Sequence, residues 1–234
     1  MRKREELVLA ASDEIIHDHH HDGIDRRGLL KCMTWAGAGA FCVMKGGLLH
    51  SYAPGGAGGH TEKGELSFVP ISDSHMGFSK PTNSDVAATL KAAIDKINAL
   101  PQAPEFLLRT GDISHLSKPE EFDNVDQMLK SAKVGGAFFV PGEHDVLNDD
   151  GQQYRERYAR GTQGSGWYSF DKNGVHFIGL VNVMNLKAGG LGNLGNEQLE
   201  WMEKDVKLLS KSTPVVVFAH IPLWSVYPEW DGHR

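Results

Sequence analysis

Four short apolar runs, each followed within a few residues by Asp, Glu or His, constrain the fold of this chain more than any other feature. The runs occupy residues 68–71, 106–108, 138–141 and 215–219. An apolar run of this length that stops at turn residues is typical of a buried strand. In layered α/β proteins, polar site residues collect where such strands end and loops begin. The pattern therefore predicts a buried sheet with one functional edge.

The residues at these strand ends are of the types that bind metal ions through oxygen and imidazole. They are Asp73 and His75 after the first run, Asp112 and His115 after the second, Glu143, His144 and Asp145 after the third, and His220 after the fourth. Each piece alone would equally suit a strand-end turn or a buried, hydrogen-bonded histidine, but four such pieces in order make coincidence a poor explanation. The two cysteines, Cys32 and Cys42, both precede this region, so His and carboxylate ligands for an ion such as Mn, Fe or Zn are favoured.

The segments between the apolar runs alternate in a way that predicts an α/β layered fold. We expect helices at residues 84–100, capped by Asn83 or Ser84, at 119–129, beginning at Pro119, at 152–158, and at 197–209. The last of these has an apolar face that consists of Leu199, Met202, Val206 and Leu209. Asn173-Gly174 lies between two strand-like runs and predicts a hairpin, which would make the sheet mixed.

The first 60 residues read as an export signal and a linker, and residues 61–234 as the folded domain. Arg26-Arg27 precedes a modestly apolar run, which resembles a twin-arginine signal. The alternative is an ordinary helix with a chance Arg-Arg pair. Ser51 and Ala53 put small residues at the positions that a signal peptidase reads, although Pro54 would move the cut into 55–59 or prevent it. We therefore expect the export machinery to recognise Arg26-Arg27 and to deliver the protein to the periplasm or outside the cell, with membrane tethering if the signal stays uncleaved.

Length and charge limit the classes of function that remain open. A chain of 234 residues has room for one domain with a sizeable core. The formal net charge of −6 argues against a general nucleic-acid binder, which usually has a basic face.

The ordered set of motifs resembles the calcineurin-like metallophosphoesterase superfamily. The set consists of Asp73-x-His75, Gly111-Asp112, Gly142-Glu143-His144-Asp145 and Ala219-His220. Residues 197–201 are also similar to a Gln-Leu-x-Trp-Leu helix that is common in the purple-acid-phosphatase-like and cyclic-nucleotide-phosphodiesterase-like branches. The resemblance covers residues 66 to about 225. It implies a four-layer αββα sandwich with mixed sheets.

The resemblance also implies a site with two divalent or trivalent metal ions of the Fe, Mn or Zn type. Asp73 and His75 would bind the first ion, Asp112 would bridge both, and His220 would bind the second. A hydroxide shared by the ions would attack the phosphoester. His144 would protonate the leaving oxygen as the general acid. His115 and Asp145 would lie behind the ligands and orient them.

Two positions depart from the pattern of that superfamily. Glu143 stands where the superfamily usually has an Asn that ligates the second metal. We expect Glu143 to ligate through its carboxylate; the alternative is that it turns away and water takes its place. The superfamily also closes its site with a late Gly-His-x-His, and we read Gly232-His233 as a chance match to its start. We therefore expect a shortened chain with an incomplete second sheet, weak metal binding and little turnover.

The sequence thus favours a metal-dependent phosphoesterase that acts on phosphomonoesters or phosphodiesters. The substrate is open, and a nucleotide is among the candidates. The main alternative is a truncated, non-catalytic binding module that retains the fold, and a weaker one is a one-metal hydrolase of non-phosphate esters.

Overall fold

The computed structural model describes residues 41–45, 48–52, 66–184 and 192–223, and they form two β-sheets with four α-helices. Arg26-Arg27, residues 185–191 and Gly232-His233 lie outside the described residues. None of the four described helices has the length and hydrophobicity that spanning a bilayer requires.

The first sheet has five strands in the order β2-β1-β3-β4-β5. They are β1 (Phe41–Lys45), β2 (Leu48–Tyr52), β3 (Leu66–Ile71), β4 (Phe106–Thr110) and β5 (Ala137–Val140). β3, β4 and β5 are parallel, with Phe68 opposite Phe106 and Leu108 opposite Phe138, so their carboxyl ends share one edge. The three strands predicted here from the apolar runs are confirmed.

The strands β1 and β2 correct the sequence analysis, which left residues 1–60 out of the fold. They pair with each other in antiparallel register, and β1 pairs antiparallel with β3. Both strands are rich in apolar and β-branched or aromatic residues, and Gly46-Gly47 between them is a hairpin signal. That signal was masked by the resemblance of the same segment to an export leader. The first sheet therefore contains both parallel and antiparallel strand pairs.

The second sheet is the predicted hairpin plus one parallel strand. It contains β6 (Tyr168–Lys172), β7 (Val175–Gly179) and β8 (Val215–Phe218) in that order. Asn173 and Gly174 both have positive φ, 49° and 78°, which is the backbone that a tight hairpin turn requires. The mixed pairing predicted from the sequence is confirmed.

The helices are α1 (Val86–Asn98), α2 (Pro119–Leu129), α3 (Gln152–Tyr158) and α4 (Gly195–Lys207). The cap of α1 is Asp85, whose carboxylate accepts the N–H of Ala88 at 2.8 Å, not the predicted Asn83 or Ser84. Asn83 instead accepts the N–H of Asp85, at 3.3 Å, so it shapes the turn before the helix.

The buried face of α4 also differs from the prediction. Leu199 and Val206 are exposed, whereas Gln198 is only 1 % exposed. The Gln198 amide donates to the carbonyl of Val181 and accepts its N–H, both at 2.8 Å. A polar anchor on the chain after β7 therefore sets the rotation of the helix, which apolar spacing alone does not reveal.

The core confirms the expected layered architecture. One cluster lies between the two sheets and joins Phe68, Phe106 and Val140 of the first to Phe177 and Phe218 of the second. Two further clusters pack α1 and α2 on the other face of the first sheet. On the second sheet, His176 of β7 contacts Asp205 of α4 at 2.8 Å. Helices thus cover the outer face of each sheet, and the loops at the shared strand edge are left to form a site.

Candidate metal centre

The predicted site residues after β3, β4, β5 and β8 meet at one edge of the two sheets. At this edge, His220, which follows β8 of the second sheet, contacts the end of β4 in the first sheet: its Nδ1–H donates to the carbonyl of Thr110 at 2.7 Å. Asp112 is 2 % exposed and lies at the centre of the group.

Two sets of ligand atoms share the Asp112 carboxylate. The first is Asp73, His75 and Asp112, and the second is Asp112, Glu143 and His220; within each set the ligand atoms lie within 4.8 Å of one another. The Nε2 atoms of His75 and His220 lie 3.3 and 3.5 Å from Asp112 Oδ2. His220 Nε2 also lies 3.0 Å from Glu143 Oε2. The structure therefore brings all five predicted ligands together.

The backbone at three of these residues is held in an unfavourable conformation. Asp73, His75 and Asp112 have φ values of 57°, 41° and 48°, in the left-handed region that costs a non-glycine residue free energy. Hydrogen bonds between the two loops hold this shape: Asp73 N–H donates to the carbonyl of Gly111 at 3.1 Å, and His75 N–H to that of Asp112 at 2.9 Å. Strain of this kind collects at functional sites, where the surrounding fold over-determines the geometry.

Two glycines let the loops approach this closely. A Cβ on Gly111 would lie 2.6 Å from His220 Cγ, and one on Gly142 would overlap the Asp112 carboxylate. The Gly-Asp and Gly-Glu-His-Asp motifs therefore need glycine for space around the centre. Gly111 also needs it for its φ of +98°.

The pKa shifts of His220 and Asp73 indicate that the site favours a positive charge next to its carboxylates. Burial lowers the pKa of His220, but hydrogen bonds to Asp112 and Glu143 outweigh burial and raise it to about 11. Burial raises the pKa of Asp73, yet hydrogen bonds from His75 and Ser72 bring it below its ordinary value. Because His220 Nδ1 already donates to a carbonyl, a neutral His220 would turn the lone pair of Nε2 toward two carboxylates. A proton or a metal ion is needed to relieve that repulsion.

His144 is oriented by its neighbours on the ligand loops. Its backbone N–H donates to Asp112 Oδ1 at 3.0 Å, and its Nδ1–H donates to the carbonyl of His115 at 2.7 Å. This bond occupies Nδ1, so Nε2 is the ring nitrogen that remains for other partners. The ring lies edge-on to His75, with centroids 4.7 Å apart. His75, His115 and His144 each offer a ring nitrogen, and these three nitrogens lie within 4.8 Å of one another.

His115 contacts His144 rather than a predicted ligand carboxylate. The two rings stack, with centroids 4.9 Å apart and an interplanar angle of 18°. The His115 Nδ1 atom is buried without a hydrogen-bond partner. Burial lowers the pKa of His115, and the neighbouring His144 and His75 lower it further. Its carbonyl and its ring therefore both contact His144.

Asp145 ties the second and third loops together from behind. It is fully buried and accepts the N–H groups of Ile113, Ser114 and Gly142 at 2.8–3.1 Å. The Ser114 hydroxyl also donates to it at 2.8 Å. Burial raises the pKa of Asp145 despite these bonds. The carboxylate therefore fixes the residues that flank Asp112.

Sequence reasoning missed several residues that support the site. Glu121, in the first turn of α2, is buried and accepts the N–H of Leu116 at 2.7 Å and that of His115 at 3.1 Å. The Ser117 hydroxyl donates to the carbonyl of His144 at 2.7 Å. Arg109 is fully buried within β4. Of these, Arg109 alone carries a sequence signal, because it is a charged residue inside an apolar strand.

Comparison with known proteins finds distant relatives that are named as phosphodiesterases or phosphatases. No protein-family model matches the chain. It is 26 % identical over 179 residues to a 3′,5′-cyclic-nucleotide phosphodiesterase of Nostoc, covering 72 % of this chain and 61 % of that one. It is 26 % identical over 140 residues to the human serine/threonine-protein phosphatase CPPED1, covering 56 % and 44 %. It is 26 % identical over 157 residues to the probable glycerophosphodiester phosphodiesterase GpdQ of Arcobacter nitrofigilis, covering 66 % and 56 %.

The chain spans about half the length of the curated relatives it matches. Among solved structures, the purple acid phosphatase PPD1 of yellow lupin is similar with a TM-score of 0.48 and 14 % identity, covering 79 % of this chain and 46 % of that one. By their names, these sequence relatives are phosphodiesterases and phosphatases, that is, phosphoesterases.

Proposed function

We propose that this chain is a metal-dependent phosphoesterase of the calcineurin-like type, which hydrolyses phosphomonoesters or phosphodiesters. The observation that carries the proposal is the Asp112 carboxylate, shared by two sets of ligand atoms at one sheet edge. A shared carboxylate between two such sets suits a pair of adjacent cations, which is the arrangement that phosphoester hydrolysis uses.

The five side chains fit such ions chemically. Three carboxylates and two imidazoles suit Mn, Fe or Zn. Asp73 and His75 would hold one ion, Glu143 and His220 the other, and Asp112 both. Bound there, two cations would neutralise the charge of the phosphoester and acidify a bound water.

The residues around the ligands supply the proton and the orientation. His144 Nε2 donates the proton to the leaving oxygen, while Nδ1–H keeps its hydrogen bond to the carbonyl of His115. Stacking against His115 restricts rotation of the ring. Replacement of His144 by Ala should therefore slow esters with basic alcohol leaving groups far more than p-nitrophenyl esters, whose leaving group needs no proton.

Glu143 gives the second set of ligands a charge that the usual Asn would not. We propose that it ligates through its carboxylate, which lies next to His220. With a metal bound there, the extra negative charge would raise the pKa of a metal-bound water. A Glu143→Asn variant should therefore lose metal affinity and shift the pH–rate profile toward lower pH. Unchanged metal content together with an unchanged profile would contradict ligation.

The test of the proposed function is metal-dependent hydrolysis that requires Asp112. The purified full chain, stripped with chelator and reloaded with Mn²⁺, Fe²⁺ or Zn²⁺, is assayed with p-nitrophenyl phosphate and bis-p-nitrophenyl phosphate. The criterion is dependence on metal and on Asp112, not the absolute rate. Asp112→Asn should reduce hydrolysis by more than the roughly 100-fold that loss of an outer-shell partner costs.

The matched control is Asp95→Asn, which removes an exposed carboxylate that pairs with Lys91 on the surface of α1. It should hydrolyse both esters at the rate of the parent protein. Metal-independent hydrolysis, or equal effects of the two substitutions, would refute the proposal. Stable binding of a protein partner without metal or turnover would support the binding-module alternative.

We also propose export through the leader that contains Arg26-Arg27. Replacement of both arginines by lysine should keep the protein in the cytoplasm, as measured by cell fractionation. Cleavage within residues 55–59 would remove β1 and β2 from the first sheet, so N-terminal sequencing of the exported protein decides whether those strands persist. Cytoplasmic location of the unaltered protein would contradict the proposal.

A further inference from the structure

Arg109 is a buried cation directly behind the centre that none of the proposed roles uses. Its side chain is fully buried in β4, two residues before Gly111. Burial lowers the pKa of its guanidinium to about 10, so it remains charged at neutral pH. Nη2 donates to Ser74 Oγ at 2.5 Å, while Nε and Nη1 are buried without a partner. Burial of a guanidinium that makes one hydrogen bond costs free energy of folding. We therefore ask what the bond to Ser74 contributes to function.

The acceptor of that bond stands between two predicted ligands of the first metal. Ser74 separates Asp73 from His75, the two residues with φ values of 57° and 41°. Its hydroxyl accepts from Arg109 and donates to the carbonyl of Ile113 at 2.9 Å. A left-handed backbone costs a non-glycine residue free energy and persists only where the surroundings hold it. The Ser74 hydroxyl is thus a side-chain tether in the middle of the strained segment.

We propose that Arg109 is a positioning residue that holds residues 73–75, through Ser74, in the shape that binds the first metal. This inference rests on the proposed function, because it assumes that Asp73 and His75 are ligands. The sequence places the arginine for this task, since β3 and β4 are parallel neighbours with Arg109 opposite Ile71. From that position the guanidinium reaches the loop that follows β3.

The charge of Arg109 lowers the affinity of the site for a metal ion, whereas its hydrogen bond to Ser74 raises that affinity. A fixed cation near the site repels a second cation, so loss of the charge alone would strengthen metal binding. Loss of the tether would weaken it, because the strained segment could relax away from the metal-binding shape. The direction of the change therefore separates a positioning role from simple electrostatics.

The experiment measures Mn²⁺ affinity of the metal-free full chain from the electron paramagnetic resonance signal of free Mn²⁺. Ser74→Ala and Arg109→Met are each expected to weaken binding about 10–100-fold, the usual effect of losing a partner behind the ligands. The double variant should be no weaker than the weaker single one, because both changes break the same bond. Ser74→Thr keeps the hydroxyl and should bind Mn²⁺ as the parent does.

The control is Ser131→Ala, which removes an exposed hydroxyl that donates to the carbonyl of Met128 at the end of α2. It should leave affinity unchanged. Tighter binding by Arg109→Met, unchanged binding by Ser74→Ala, additive losses, or a Ser74→Thr variant as weak as Ser74→Ala would each overturn the inference. If circular dichroism shows that Arg109→Met does not fold, the Ser74 variants decide. A parent protein that binds no Mn²⁺ would refute the proposed function instead.

Discussion

The pairing of Glu143 with His220 can be tested without any metal. In the metal-free protein, Glu143→Gln keeps the length of the side chain and removes its charge. The carboxylate lies 3.0 Å from His220 Nε2. At that distance, the attraction between unit charges is about 1.4 kcal/mol with a water-like dielectric constant and about 5.5 kcal/mol with an effective value of 20.

These limits correspond to roughly 1 and 4 pK units for His220. The Glu143 side chain is 35 % exposed, so solvent screening favours the lower end of the range. Asp112, 3.5 Å from the same nitrogen, still supports the imidazolium in the variant. We therefore expect the pKa of His220 to fall by about 1–2 units from its value of about 11, without returning to that of a free histidine.

The assay is a pH titration of the histidine ring nitrogens by ¹⁵N-edited NMR in the presence of chelator. Glu120→Gln, at an exposed position in the first turn of α2, is the matched control and should not change the His220 titration. A His220 pKa that is the same in Glu143→Gln and in the parent would show that this carboxylate does not face the imidazole. The second set of ligands would then lose one member.

Three further predictions concern packing and stability. Gly142→Ala should abolish Mn²⁺ binding and lower the free energy of unfolding by about 1–3 kcal/mol, because its Cβ overlaps the Asp112 carboxylate; unchanged metal titration and urea unfolding would contradict this. Gln198→Leu should lower the free energy of unfolding by about 1–3 kcal/mol, because it leaves the N–H and carbonyl of Val181 unpaired; urea unfolding at the parent's midpoint would argue otherwise. Burial lowers the pKa of His176, but its bonds to Asp171 and Asp205 outweigh burial and raise it. The contribution of His176 to the free energy of unfolding is therefore complete below the unfolded pKa of about 6.5 and is lost as pH rises through the folded pKa. Urea unfolding of His176→Gln across this pH range should lack that loss of stability. A variant that loses as much stability with rising pH as the parent does would refute the role of His176.

The strand ends and their polar residues could be predicted because they rest on local rules. An apolar run of three to five residues that stops at turn residues is typical of a buried strand, and parallel neighbours bring their carboxyl ends to one edge. That reasoning gave β3, β4, β5 and β8 with small errors at their bounds. The hairpin at Asn173-Gly174 followed from the backbone that this pair favours.

The remaining features depend on contacts between residues distant in sequence. Glu121 and Ser117 look like ordinary helix-start residues, and their bonds to the His115 and His144 backbones exist only after folding. The rotation of α4 depends on Gln198 reaching the chain after β7. The strands β1 and β2 were missed for another reason, because the same residues also resemble an export leader. Arg109 was visible as a charge in an apolar strand, but its contact with Ser74 was not.

The central claim is that carboxylates and imidazoles from four strand ends hold two adjacent cations around Asp112. The most direct measurement is an anomalous-difference map from crystals of the full chain grown with Mn²⁺. The account predicts two peaks a few Å apart, with Asp112 contacting both, Asp73 and His75 on one side, and Glu143 and His220 on the other. A map without peaks at this edge, or with a single peak that Asp112 does not contact, would contradict it.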